Sequence, residues 1–87
     1  VIGVMHALYQ GPDGRLYRCE QFQDKRLEGM VTVMPGRGKY KGQTCYEVFT
    51  EEGRLVIVEP GDWIVYTETR RIRVIRPLTF LQEYKRL

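Results

Sequence analysis

Apolar and polar residues alternate with a period of two through most of the chain, and Gly and Pro interrupt the alternation at short intervals. This pattern predicts several short antiparallel strands rather than helices. Val4 to Gln10 reads as a first strand, and Gly11-Pro12-Asp13-Gly14 offers Pro and Gly where a tight turn accepts them. Arg15 to Phe22 returns as its hairpin partner, with Tyr17, Cys19 and Gln21 on one face and Arg18 and Glu20 on the other. One side of this strand is expected to pack and the other to stay wet. Gln23 to Gly29 is polar and short and reads as a connection. Met30 to Met34 is a third strand that Pro35 ends.

Thr44 to Phe49 and Arg54 to Glu59 form a second hairpin around Thr50-Glu51-Glu52-Gly53, where Gly53 can take a left-handed conformation. Leu55, Val56, Ile57 and Val58 are continuously apolar, which predicts a central strand covered on both faces. After Pro60-Gly61, Asp62 to Thr67 begins another strand, and Glu68-Thr69-Arg70 turns it into Arg71 to Arg76. There Ile72 and Val74 face one way. Arg71 and Arg73 face the other, about 7 Å apart along the strand. Pro77 suits the first turn of a helix because its missing N–H would be unpaired there anyway. Phe80, Tyr84 and Leu87 follow at spacings of four and three, one stripe that can lie on a sheet. The fold expected is mainly β: a small antiparallel barrel or strongly bent sheet of six or seven short strands with a short C-terminal helix.

With 87 residues the chain has room for a single domain, residues 1–87, and one thin core. A core of this size is often supplemented by association, so a homo-oligomer is expected. Apolar residues at 43% and charged residues at 29% exclude a disordered or membrane-spanning composition. No apolar run is long enough to span a bilayer, and the first residues lack a basic leader, so no membrane partner is expected. Cys19 and Cys45 read as two reduced thiols rather than a disulfide. His6 is the only histidine and no Cys-x-x-Cys spacing occurs, so neither a metal site nor another cofactor is expected.

Pro60-Gly61-Asp62-Trp63-Ile64-Val65, then Arg76-Pro77, Phe80 and Tyr84, resembles the C-terminal signature of small phage and prophage proteins with a PGDYG-type domain. The resemblance covers the last third of the chain, from Val48 onward. Glu68-Thr69-Arg70-Arg71 departs from it, since the family's hairpin there is usually glycine-rich. It implies a phage origin, and with it the cytoplasm of an infected bacterial host, but carries no catalytic role. The signature residues also have architectural uses: a turn at Pro60-Gly61, acceptance of backbone N–H bonds by Asp62, and burial of apolar area by Trp63.

Catalysis needs a positioned acid, base or nucleophile. The chain contains no Ser, His6 has no partner nearby in sequence, nothing local activates either cysteine, and Glu51-Glu52 reads as a hairpin tip. A protein that binds without turning over its ligand is therefore expected. Net charge is +3 and ten of the 14 basic residues are Arg, whose planar fork suits phosphate and carboxylate. Two cationic groups stand out. Pro35 to Gly42 places Arg37, Lys39 and Lys41 around Tyr40 among glycines that allow close backbone approach, although it lacks the ending of a nucleotide-hydrolysing P-loop. Arg70, Arg71, Arg73 and Arg76 form the second, beside Tyr66. Bland readings explain both groups too: a flexible, soluble hairpin tip for the first, and for the second a solvated sheet face with ion pairs to Glu47, Glu59 or Glu68.

The candidate ligand contacts are thus Arg37, Lys39, Tyr40, Lys41, Tyr66, Arg71 and Arg73. The first expectation is a phage counter-defence protein that sequesters a small phosphorylated, nucleotide-derived immune signal. The alternatives are a nucleic-acid-binding small barrel, for which the charge is rather low, and an inhibitor that docks on a host protein through an exposed strand or helix.

Overall fold

Alternate side chains of the central strands belong to two different cores, and this divides the molecule into three layers. A computed structural model describes residues 7–67 and 71–87. His6, Glu68, Thr69 and Arg70, and the first part of the strand expected from Val4, lie outside the described residues. The strands are β1 Ala7–Gln10, β2 Leu16–Gln21, β3 Val31–Val33, β4 Cys45–Phe49, β5 Leu55–Val58, β6 Trp63–Tyr66 and β7 Ile72–Ile75. Helix α1, Pro77–Glu83, and a two-residue strand β8, Lys85–Arg86, close the chain. All pairings are antiparallel, in a five-stranded sheet of order β7-β6-β2-β1-β8 and a three-stranded sheet of order β3-β4-β5. The protein is thus mainly β with one short C-terminal helix, and its two sheets do not close into a barrel.

On one face of the larger sheet Tyr9, Tyr17, Cys19 and Val65 pack against Phe80 and Tyr84 of the C-terminal segment. On the other, Phe22, Ile64 and Ile72 pack against Met30, just before β3, and against Val48 and Val58 of the smaller sheet. The larger sheet is therefore the middle layer, between α1 and the three-stranded sheet. Alternation along β2 behaves as its sequence requires: Tyr17 and Cys19 are buried, whereas Arg18 and Glu20 are only half-buried. The first hairpin closes with the Gly14 N–H on the Gly11 carbonyl at 3.0 Å, and the second with the Gly53 N–H on the Thr50 carbonyl at 2.9 Å.

The segments around Trp63 and Phe80 fold onto each other. Trp63 and Phe80 stack with centroids 3.9 Å apart and planes 3° from parallel, and Phe80 stacks in turn on Tyr84 at 4.8 Å. Tyr9 meets both Trp63 and Phe80 edge-on, at 5.4 and 5.0 Å. Asp62 is 2% exposed; its Oδ2 accepts the Glu59 N–H at 2.9 Å and pairs with the Arg76 guanidinium. Gly61 has φ 97°, a left-handed conformation that other residues adopt only with strain, and Pro77 lies just beyond where its Cβ would be, at 3.4 Å. Residues 60–63 and 76–84 therefore form one interlocked unit that turns the chain out of β5 and seats α1.

Two expectations are corrected. Leu55–Val58 is not a central strand but an edge strand, with Leu55 66% exposed, and the central strand of its sheet is β4. Its continuous apolar run reflects one face packed in the core and one left open. Leu87 does not extend the helical stripe: Tyr84 takes extended backbone, φ −113° and ψ 137°, and Lys85–Arg86 pairs with Tyr9 and Gln10 of β1. This adds an eighth strand among the described residues and leaves Leu87 68% exposed.

Trp63 is half-buried, so Trp63→Ala should cost about 3 kcal/mol, the low end for truncating a packed large aromatic. Asp62→Ala should cost about 2 kcal/mol, because Arg76 is exposed enough to rehydrate while the Glu59 N–H loses its acceptor. Urea unfolding of both variants checks these values, and near-neutral results would remove the interlocked unit from the core.

Candidate functional site

Antiparallel pairing of β2, β6 and β7 brings the start of β2, the end of β6 and the start of β7 to one end of the larger sheet. Arg15, Leu16, Tyr17, Tyr66, Thr67, Arg71 and Arg73 meet there, with Glu51 contributed by the β4–β5 turn. They line an open cleft of about 700 Å³. The turn is held in place by the Glu51 N–H, which donates to the Ile72 carbonyl at 2.9 Å. A smaller hollow of about 250 Å³, between Phe49, Thr50, Glu51, Gly53 and Arg71, adjoins the cleft through Glu51 and Arg71.

Arg73 is the most constrained of the cleft cations. Its Nε pairs with Glu51, its Nη1 lies 3.4 Å from the Tyr84 hydroxyl, and its guanidinium carbon sits 5.3 Å from the Tyr17 ring centre. The Glu51 carboxylate raises its already high pKa further, so it stays charged at any accessible pH. Arg71 is exposed and makes no ion pair among the described residues. Tyr17 donates its hydroxyl to the Asp13 carboxylate, which lowers the Asp13 pKa and raises that of Tyr17. Thr67 Oγ1 is enclosed and has no hydrogen-bond partner among the described residues.

Tyr66 is only partly available for stacking. The Arg18 guanidinium lies 4.0 Å from its ring centre, and its hydroxyl donates to the Glu28 carbonyl at 3.1 Å. Burial, then the nearby Glu20 carboxylate, pushes its phenol up to about 12.

Three of the seven residues expected to contact a ligand, Tyr66, Arg71 and Arg73, thus share one cleft. The other four do not join them. Tyr40 lines a separate hollow of about 340 Å³ with Phe22, Asp24, Tyr46 and Glu59. Lys39 is held 3.4 Å from Glu59 and lies 5.3 Å from the Tyr40 ring centre. Arg37 and Lys41 are exposed and line none of these three cavities. Their loop is closed by its own turns, with the Lys41 N–H on the Gly38 carbonyl at 3.2 Å and the Gly42 N–H on the Pro35 carbonyl at 3.1 Å. The two cationic groups therefore do not form one site. Arg76 belongs to the interlocked unit, paired with Asp62 and 3.9 Å from Glu59.

Sequence reading missed Arg15, Tyr17, Glu51 and Thr67. Hairpin geometry carried a signal for Thr67, which closes the β6–β7 hairpin opposite Arg71, but none for Arg15 and Tyr17, which reach the cleft through the long-range pairing of β2 with β6. Glu51 carried none, since it comes from the other sheet. Cys19 and Cys45 are free and buried, and burial pushes the Cys19 thiol up to about 12, as an inert core residue requires. Among the described residues no three His, Cys, Asp or Glu side chains gather as a metal site needs, and no helix is long and apolar enough to cross a membrane.

Comparison with family models, with curated proteins and with solved structures yields no match. The likeness of residues 60–84 to PGDYG-type phage domains rests on those residues alone.

The raised pKa values of Cys19 and Tyr66 fix the sign of an alkaline effect. Both groups hold their protons more tightly when folded than at their ordinary values of 9.0 and 10.0. Their contribution is complete below pH 9 and is lost as the pH climbs toward 12. Urea midpoints should fall steadily across that window, and Cys19→Ala should flatten its lower part. The native Cys19 thiol should also resist alkylation at pH 8 until the protein is unfolded.

Proposed function

We propose that the protein is a non-catalytic binder of a small phosphorylated anion, held in the cleft at the end of β2, β6 and β7. The observation that carries this reading is Arg71, a guanidinium without an ion pair among the described residues, beside Arg73, Tyr17 and the enclosed Thr67 hydroxyl. Among the described residues three guanidinium groups and one carboxylate line the cleft, a set suited to an anion. Its volume of about 700 Å³ lies in the range of small-molecule sites and suits one nucleotide. Arg73, clamped by Glu51 and Tyr84, is a pre-oriented donor. Arg71 is the cation free to close on a phosphate in the bidentate manner of its fork. Glu51 retains acceptor capacity for a ribose hydroxyl or a base N–H.

The resemblance of residues 60–84 to phage proteins supplies a biological setting: capture of a nucleotide-derived immune signal in the cytoplasm of an infected bacterium. Sequestration asks for affinity and no chemistry, which suits a chain without Ser and with an inert Cys19. A nucleic-acid interface draws less support. Lys39, Arg18, Arg73 and Arg76 are each engaged by an acid, and of the other cations among the described residues only Arg15 and Arg71 share one of the three cavities.

Thermal unfolding with a panel of mono-, di- and cyclic nucleotides and inorganic phosphate should reveal a ligand that raises the melting temperature. Arg71→Ala should weaken its binding about tenfold or more, the loss of one charge-assisted contact. Affinity should decline only gently with salt. A steep salt slope on single-stranded DNA would favour nucleic acid instead, and turnover of any panel member would overturn the non-catalytic reading.

A further inference from the structure

Strand edges expose unpaired backbone groups, and proteins blunt them with charge, brevity or cover. Three of the four sheet edges here are blunted. β8 has two residues, both cationic; β3 has three residues; β7 carries Arg73 and lends its Ile72 carbonyl to Glu51. The fourth edge, β5, is Leu-Val-Ile-Val, four residues without a charge.

The ladder fixes which groups of β5 point outward. The Thr50 N–H donates to the Arg54 carbonyl at 2.7 Å, so the inward-bonding residues alternate from Arg54 to Val56 and Val58. Leu55 and Ile57, opposite Phe49 and Glu47, turn their N–H and C=O groups to the open side. None of these four groups has a backbone partner among the described residues. The side chains agree: Leu55 and its cross-strand neighbour Phe49 are 66% and 63% exposed on the outer face.

The geometry points to a second copy of this chain as the occupant, paired antiparallel with β5 about a two-fold axis through Val56. In that register Leu55 lies opposite the partner subunit's Ile57, and the two residues exchange both backbone bonds, so the axis generates four bonds in all. Apolar side chains then face each other across the join. Charge favours the same orientation. Arg54 stands at the start of β5, exposed and without an ion pair among the described residues, and Glu59 follows its end. In that register each Arg54 falls opposite the partner subunit's Val58, one position short of the partner subunit's Glu59, so opposite charges gather at each end of the ladder, whereas a parallel arrangement sets like charges together. The two three-stranded sheets become one sheet of six, and the binding cleft, at the far side of the β4–β5 turn, stays outside the ladder.

Sedimentation equilibrium of the full chain from about 1 µM to about 1 mM should show a concentration-dependent dimer. Hydrogen exchange should show the Leu55 and Ile57 amides protected only at concentrations where the dimer is populated. Leu55→Lys places a charge on the ladder and should raise the dissociation constant about tenfold or more. Arg54→Glu, an exposed change whose backbone N–H still reaches Thr50 Oγ1, should also raise it, with circular dichroism unchanged. A monomer across the whole range would overturn the proposal, as would a dimer that survives both substitutions while those amides exchange freely.

Discussion

A single carboxylate removed from water governs how the second half of the chain is arranged. Asp62 is 2% exposed, and its carboxyl group is tolerable there only because the Glu59 N–H and the Arg76 guanidinium both reach it. Meeting that requirement sets the turn between β5 and β6 and fixes the distance between the end of β7 and the start of β6. Arg76 is also the residue before the helix, so the same ion pair aims α1 across the sheet. Once aimed, Phe80 falls between Trp63 and Tyr84, and one core is complete.

The cleft inherits its character from this arrangement. Tyr84 ends the helix at the point where its hydroxyl can meet Arg73, so the helix that closes the core also steadies one wall of the site. Glu51 performs the same task from the opposite side, carried there by a turn of the other sheet and anchored through its backbone to Ile72. A guanidinium fixed from both sides loses little further freedom when it meets an anion, which favours binding by pre-organisation. Arg71, one step along the same face, is exposed and makes no ion pair among the described residues.

Much of the fold could be read from residue order because period-two alternation and the Gly and Pro turns are local signals. Tyr17 and Cys19 went inward, and Gly14 and Gly53 closed their hairpins, as their positions require. Layering was not readable, since two alternating apolar sets look alike until it is known what each set faces. Leu55–Val58 misled because an unbroken apolar run is the mark of a doubly covered strand, and one of its faces is uncovered in the single chain. Leu87 misled because a spacing of three fits a helix, whereas the backbone had already turned extended at Tyr84. For the site, Tyr66, Arg71 and Arg73 were accessible from hairpin geometry. The loop from Arg37 to Lys41 was attractive in composition alone, and its lysine at 39 had an acid waiting twenty residues away in Glu59.

Strand β6 belongs to both cores at once. Ile64 faces the smaller sheet and Val65 faces the helix, each fully buried, with nothing but the backbone between them. Sliding this strand by one position would send every side chain to the opposite layer, placing the indole of Trp63 where the smaller sheet packs and stripping the helix of its stacking partner. Alternative alignments therefore fail on two fronts together, so four residues suffice to make this interior strand the keeper of registration for its neighbours β2 and β7.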